Sequence, residues 1–225
     1  MNNYRIWQID FLRGIAVLSM ILFNYSFTLK FFNLINYNSI FYWFFVPRFI
    51  AAMFIFISGV SSYLSIKRNK NFFHTFKRGV KIFTIGILIT LITYFLFKEH
   101  FILFGILHLI GISIVLSYFF FKFEKFNFIF GFIILSIGVF FNFYNQYLFW
   151  LFPQKISSFD YEPLFPWFGI FLLGMGSGKF VYYNFKPKNA EKMFNKICFL
   201  GRNSLFIYLI HQPVLVFFLF IFHLI

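Results

Sequence analysis

Seven stretches of about 20 residues, nearly free of charge, succeed one another along this chain: Ile9–Leu29, Ile40–Ile66, Gly79–Phe97, Phe101–Phe121, Phe126–Tyr144, Leu164–Tyr183 and Ser204–Phe222. At 1.5 Å rise per residue, about 20 apolar residues span the hydrocarbon of a bilayer. The connections between them are short, so no separate soluble domain fits, and residues 1–225 read as one transmembrane domain. Runs such as IFTIGILITLITYFLF do not alternate in polarity, which excludes the strands of a membrane barrel. The predicted fold class is all-α: a polytopic integral membrane bundle of about seven helices. Composition agrees, with 61% hydrophobic and 12% charged residues and a mean hydropathy of +0.81, against about 25% charge in soluble domains. Phenylalanine contributes 45 residues. It shares A/T-rich codons with the abundant Ile, Asn, Lys and Tyr, and reads mainly as lipid-facing filler in place of leucine.

The placement of the cations gives orientation. Sixteen of the 20 Lys and Arg residues fall in alternate connections and the ends beside them: Arg5, Arg13, Lys67, Arg68, Lys70, Lys77, Arg78, Lys81, Lys122, Lys125, Lys179, Lys186, Lys188, Lys192, Lys196 and Arg202. Lys30, Arg48, Lys98 and Lys155 fall on the other side. The N-terminus is therefore predicted to be cytoplasmic and the C-terminus outside. The net charge of +14 reads as a topology signal with anionic lipid headgroups as partners, and not as a nucleic-acid surface. The first span is long and lacks a small-residue cleavage site, so it is expected to stay attached. A single cysteine, Cys198, excludes an internal disulfide and a thiolate zinc site. No metal is expected. Gly-rich phosphate loops, His-Glu-x-x-His and Gly-x-Ser-x-Gly are all missing from the sequence.

Polar residues at membrane depth are costly, so each is a candidate for function. Asp10 and Arg13 lie three apart near the inner end of the first span, as either an acidic helix start with a snorkelling arginine or a grip on an anionic group. Arg48, after Pro47, sits about eight residues into the second span and is predicted to face the interior where the proline opens the helix. His108 lies about seven residues into the fourth span, level with Arg48 and with Asn24 in the outer third of the first. These three are expected to face one cavity, with Asp160, Tyr161 and Glu162 closing over it. His211 and Gln212 precede Pro213 in the inner half of the last span, where either side chain can satisfy the carbonyl of Leu209 that the proline leaves free. Gly174, Gly176 and Gly178 form a close-packing face for an internal contact or a homodimer seam.

The strings IDFLRGIAVLSMILFNY, FIFISGVSSYLS, FGILHLIGISIVLSY, PLFPWFGIFLLGMGSG and LGRNSLFIYLIHQPVL, in this order, resemble the heparan-alpha-glucosaminide N-acetyltransferase catalytic-domain family of membrane acyltransferases. The resemblance covers nearly the whole chain. It implies transfer of an acetyl group from cytosolic acetyl-CoA to an acceptor across the membrane, a terminal glucosamine in the lysosomal branch. Asn24 matches an asparagine linked to catalysis in that branch, whose histidine about eleven residues further on has no counterpart among Asn33 to Tyr37. Prokaryotic relatives resemble Phe-His-x-x-x-Asp where this chain has Phe23, Asn24 and Thr28, and carry His where it has Asn203. The remaining histidines in the matched blocks are His108 and His211. On this reading His108 is the general base toward an amine or hydroxyl acceptor, Asn24 and Arg48 steady the oxyanion, and Arg13, Arg78, Lys81 and Arg202 hold the CoA phosphates. Asp10, Asp160, Glu162, His211 and Gln212 are the substrate-side candidates. The acceptor is expected to be an envelope sugar or a lipid-linked amine or sugar, and the location a prokaryotic cell membrane. The polar pattern alone also fits a carrier or flippase for an anionic metabolite or lipid, and the departures fit a non-catalytic membrane subunit.

Overall fold

The computed structural model describes residues 6–140, 146–185 and 194–221; Arg5, Lys186, Lys188, Lys192, Tyr144 and Phe222, used above for topology and span limits, lie outside them. The described residues form eight α-helices, in order α1 (Trp7–Phe31), α2 (Ile40–Arg68), α3 (Phe72–Leu96), α4 (Ile106–Phe120), α5 (Asn127–Phe140), α6 (Leu164–Asn184), α7 (Asn195–Arg202) and α8 (Ser204–Ile221). The described residues contain no strand, only an isolated bridge between Phe104 and Tyr161. Among the described residues, six stretches are long and apolar enough to cross a membrane. One of them, Ile106–Gly138, runs to 33 residues and contains both α4 and α5.

That long stretch is broken at Glu124, whose backbone takes φ 40° and ψ −110° within the tight turn Phe121–Phe126. The chain folds back there. Asn127 Nδ2 donates to the Phe120 carbonyl at 3.1 Å across the break, and Lys179 of α6 pairs with Glu124 at 2.5 Å. The seven predicted spans thus appear as α1 to α6 and α8, and the all-helical membrane bundle stands. Two limits moved for local reasons. Helix α3 starts seven residues early because the Asn71 side chain accepts from Phe73 N at 2.8 Å, a capping bond worth about 1 kcal/mol. That puts Lys77, Arg78 and Lys81 on its first turns. Helix α4 starts five residues late, at Ile106, since its first N–H groups find side-chain acceptors there instead of further back.

The described residues divide into two compact units that part within α2, one of residues 55–140 and 146–184 and the other of residues 6–54, 185 and 194–221. In the first, α3 and α4 run antiparallel, with Gly79 against Val115 and Gly111, and Gly86 against His108. Helices α5 and α6 run antiparallel as well, with Gly131 against Gly169 and Leu173. The far half of α2 lies on α6, where Gly174 meets the Phe56 backbone and Gly178 the Tyr63 ring. The glycine face of α6 therefore serves internal contacts, including Gly176 against Phe128 of α5. In the second unit α7 packs on α1, with Gly201 at the Asp10 carbonyl and Phe194 stacked on Trp7 at 5.8 Å. The near half of α2 is tied to α1 by Tyr42 Oη donating to Ser26 Oγ at 3.0 Å.

At Gly174 a Cβ would lie inside van der Waals contact of the Phe56 carbonyl oxygen, and backbone cannot move aside as a side chain can. Gly174→Ala is expected to destabilise the protein by about 1–3 kcal/mol, the usual cost of overpacking. Leu96→Ala, at an exposed position of α3, should be nearly neutral; thermal unfolding of both variants in one detergent checks the contrast.

Candidate active site

Helix α4 opens at Gly105, whose backbone is extended and whose N–H points to His108. His108 Nδ1 accepts that N–H at 3.2 Å, and Nε2 lies 3.4 Å from Thr90 Oγ1 on α3. A backbone amide only donates, so Nδ1 carries no proton, and the neutral ring holds its hydrogen on Nε2. Thr90 Oγ1 is then the acceptor, over a distance long enough to be exchanged for a better one. The ring is 4% exposed, edge-on to Phe83 at 5.3 Å and stacked on Phe104 at 5.4 Å. Gly86 leaves it room: a Cβ there would stand 3.1 Å from Cε1 and Nδ1 of the ring. His108 and Thr90 sit in the wall of a cavity of about 380 Å³, otherwise lined by Phe83, Ile87, Leu91, Leu103, Phe104, Ile112, Phe149 and Trp150.

The segment 158–162 anchors this helix start instead of lying free over it. Asp160 Oδ2 accepts from Ile106 N at 3.0 Å, a negative group at the positive end of α4. The Asp160 carboxylate also abuts Gly105, where a side chain would collide with it. Glu162 N donates to the Phe104 carbonyl at 2.9 Å, and Ser158 Oγ donates to Phe101 O at 2.8 Å. Tyr161 Oη lies 2.6 Å from Phe149 O and 3.1 Å from Phe152 O, and burial pushes its phenol up to about 12. Tyr161 thereby holds the loop that supplies Phe149 to the cavity. The expectation that His108 lies deep in its helix is corrected: it is in the first turn of α4, because Gly105, Asp160 and the histidine itself end the extended segment 101–105.

Asn24 and Arg48 belong to the other unit. Asn24 Nδ2 donates to the Met20 carbonyl of its own helix at 2.9 Å. Gln212 Nε2 donates to Thr28 Oγ1 at 3.0 Å, which donates to the Asn24 carbonyl at 2.7 Å. Gln212 and Asn24 are thus linked through Thr28, while His211 Nδ1 lies 2.6 Å from the Tyr208 carbonyl instead of serving Leu209. Arg48 does not take the interior orientation expected of it: it is exposed, its guanidinium donating to Phe44 O at 2.9 Å and lying 3.7 Å over the Phe44 ring. Helix α2 passes unbroken through Pro47, so the arginine packs along its own helix. Asp10 and Arg13 are 3.8 Å apart, and Arg202 donates to Asn195 Oδ1 at 2.8 Å; with Gly201 against Asp10, these groups share one end of their unit. Arg78 is half-buried and Lys81 exposed, respectively eight and five residues before Gly86 on α3, so they lie roughly 12 and 8 Å along the helix from the imidazole.

Sequence reasoning passed over Thr90, Gly86 and Gly105. The first two carry a signal, since small residues four apart on an apolar helix mark a face that lets another helix come close. Gly105 reads as a helix start only once Asp160 is seen beside it. Among the described residues, no group of three or more His, Cys, Asp or Glu is gathered to hold a metal ion.

The described helices, six stretches of them apolar and long enough to cross a membrane, define an integral membrane helical bundle. Residues 5–213 match the family described as heparan-alpha-glucosaminide N-acetyltransferase, catalytic, and the chain belongs to that family. Membership points to a membrane acetyltransferase. No curated protein and no solved structure matches the chain significantly.

Because the Tyr161 phenol is raised above its ordinary value of 10 to about 12, its stabilising protonated form is fully favoured below pH 10 and lost as pH rises toward 12. Tyr161→Phe should cost about 1 kcal/mol near neutral pH, as for one net hydrogen bond. The gap between wild type and variant should close across that alkaline window, which unfolding midpoints measured at several pH values will report.

Proposed function

We propose that this chain transfers an acetyl group from acetyl-CoA, bound from the cytoplasmic side, to an amine or hydroxyl acceptor presented on the opposite side of the membrane. The observation that carries the reading is the buried His108, held with its Nε2–H toward a cavity, in a chain of the acetyltransferase family. The acceptor nitrogen or oxygen attacks the thioester carbonyl carbon, the C–S bond breaks, and the acceptor's proton leaves on the CoA sulfur. Negative charge gathers on the carbonyl oxygen in the transition state. A preorganised donor in a dry site is most effective there, and His108 Nε2–H, exchanging Thr90 for that oxygen, supplies one. The geometry favours this donor role over the general-base role expected from sequence, since the only lone pair of the neutral ring is engaged by Gly105 N–H.

The CoA phosphates need cations at the cytoplasmic mouth. Arg78 and Lys81, on the early turns of α3 in the unit that holds His108, suit that task, and Arg13 and Arg202 of the other unit remain candidates by charge. Asn24, with Gln212 behind it through Thr28, is the candidate for orienting substrate from its own unit. The thioester supplies the activated acyl group; the residues of the chain position, exclude water and stabilise charge.

Three measurements test the reading. Calorimetry of purified protein should show acetyl-CoA and desulfo-CoA binding, weakened in Arg78→Ala and Lys81→Ala. With acetyl-CoA and an acceptor that turns over, His108→Ala should lower kcat by about 10²-fold, the usual loss for one oxyanion donor, and His108→Gln should recover part of it. Unchanged transfer in His108→Ala would place the reaction elsewhere. For sidedness, single cysteines replacing Lys70 and Lys155 in a Cys198→Ala background should label differently: position 155 from outside intact cells with an impermeant maleimide, position 70 only after permeabilisation.

A further inference from the structure

The chemistry of the cavity walls selects what enters it. Its polar side-chain groups are few: His108 and Thr90, which already face each other, and the indole N–H of Trp150 at the rim. A hexosamine brought into this space would bury several hydroxyls with no partner, and each unmade hydrogen bond counts against binding. Water fares no better in an apolar space with so few partners. A hydrocarbon chain makes no such demand. The volume of about 380 Å³ falls in the range of small-ligand sites, roughly 300–1,000 Å³. Its rim is also apolar and accessible: Ile87 and Leu91 on α3 and Trp150 on the opposite loop are 42%, 49% and 38% exposed. Helix α3 is long and apolar enough to span a bilayer, so an exposed apolar rim on it suits contact with lipid.

We infer that this cavity is the seat of the hydrocarbon chain of a lipid-linked acceptor, an amphiphile that enters laterally between α3 and the Phe149–Trp150 loop and brings its amine or hydroxyl to Thr90 and His108. The inference rests on the acetyltransferase reading for what happens to that amine or hydroxyl, but not for the occupancy of the cavity. Thr90 Oγ1 and His108 Nε2–H, at the polar spot of an otherwise apolar wall, fix where the headgroup stops. The polar remainder of the acceptor, such as a sugar, then lies outside the cavity toward the aqueous face.

The test uses the full chain in phosphatidylcholine nanodiscs and a long-chain primary alkylamine with a diazirine at its tail. Photolabelling followed by peptide mass spectrometry should place the label on Leu91, Leu103 or Phe149, and excess unlabelled alkylamine should abolish it while glucosamine does not. Leu91→Trp, which fills the cavity from its rim, should lose the label; Ile87→Trp serves if the first variant does not fold. Label spread over all lipid-facing helices, label indifferent to excess alkylamine (bulk phospholipid as occupant), or displacement by glucosamine would each overturn the proposal. Specific labelling in a protein that neither binds acetyl-CoA nor transfers acetyl would leave the hydrocarbon site standing and remove the enzymatic reading.

Discussion

The first N–H groups of a helix have no partner within it, and in apolar surroundings they cannot turn to water. At the start of α4 this constraint shapes the candidate site. Gly105 N–H is met by His108 Nδ1 and Ile106 N–H by the Asp160 carboxylate. Satisfying the backbone has a chemical by-product: the bond that caps the helix also fixes the tautomer of the imidazole and aims its remaining N–H into the cavity. Had a serine or aspartate capped this helix in the ordinary way, His108 would be free to rotate and to carry its proton on either nitrogen. Asp160 acts one step back, keeping the helix start where the Gly105 amide can reach the ring.

Close helix packing is the second condition. Thr90 and the imidazole meet across α3 and α4 because Gly79, Gly86 and Gly111 let the two backbones approach. In lipid there is little hydrophobic drive to bring helices together, so small residues and complementary surfaces must do it. The same device joins α2 to α6 through Gly174 and Gly178, and α1 to α7 through Gly201. Phenylalanine fills much of the remaining exterior; Phe95, Phe132 and Phe217 are among many exposed rings.

The sequence made the membrane-spanning helices legible because hydrocarbon imposes a length and a polarity that few other folds satisfy. It did not reveal that α4 begins at Ile106, since Phe101 to Phe104 are as apolar as the helix they precede. Nor did hydropathy separate α4 from α5 as sharply as Glu124 does in the backbone. His108 stands out in the sequence as an ionisable group within an apolar run, but the main-chain amide that engages its Nδ1 leaves no trace in side-chain patterns. Pro47 in the sequence points to an opening in α2, whereas the arginine lies along the Phe44 face of its own unbroken helix. Short amphipathic α7 went unseen, being too brief and too polar at its ends for a hydropathy window, although it buries Cys198 and Gly201.

The most direct test of His108 as a fixed donor is its tautomer, observed by ¹⁵N–¹H NMR of histidine-labelled protein in nanodiscs with His108→Gln for assignment. A neutral ring with an unprotonated Nδ1 and a protonated Nε2, whose signal moves when acetyl-CoA is added, is the predicted result. A proton on Nδ1, an imidazolium at neutral pH, or an Nε2–H signal indifferent to acetyl-CoA would contradict it.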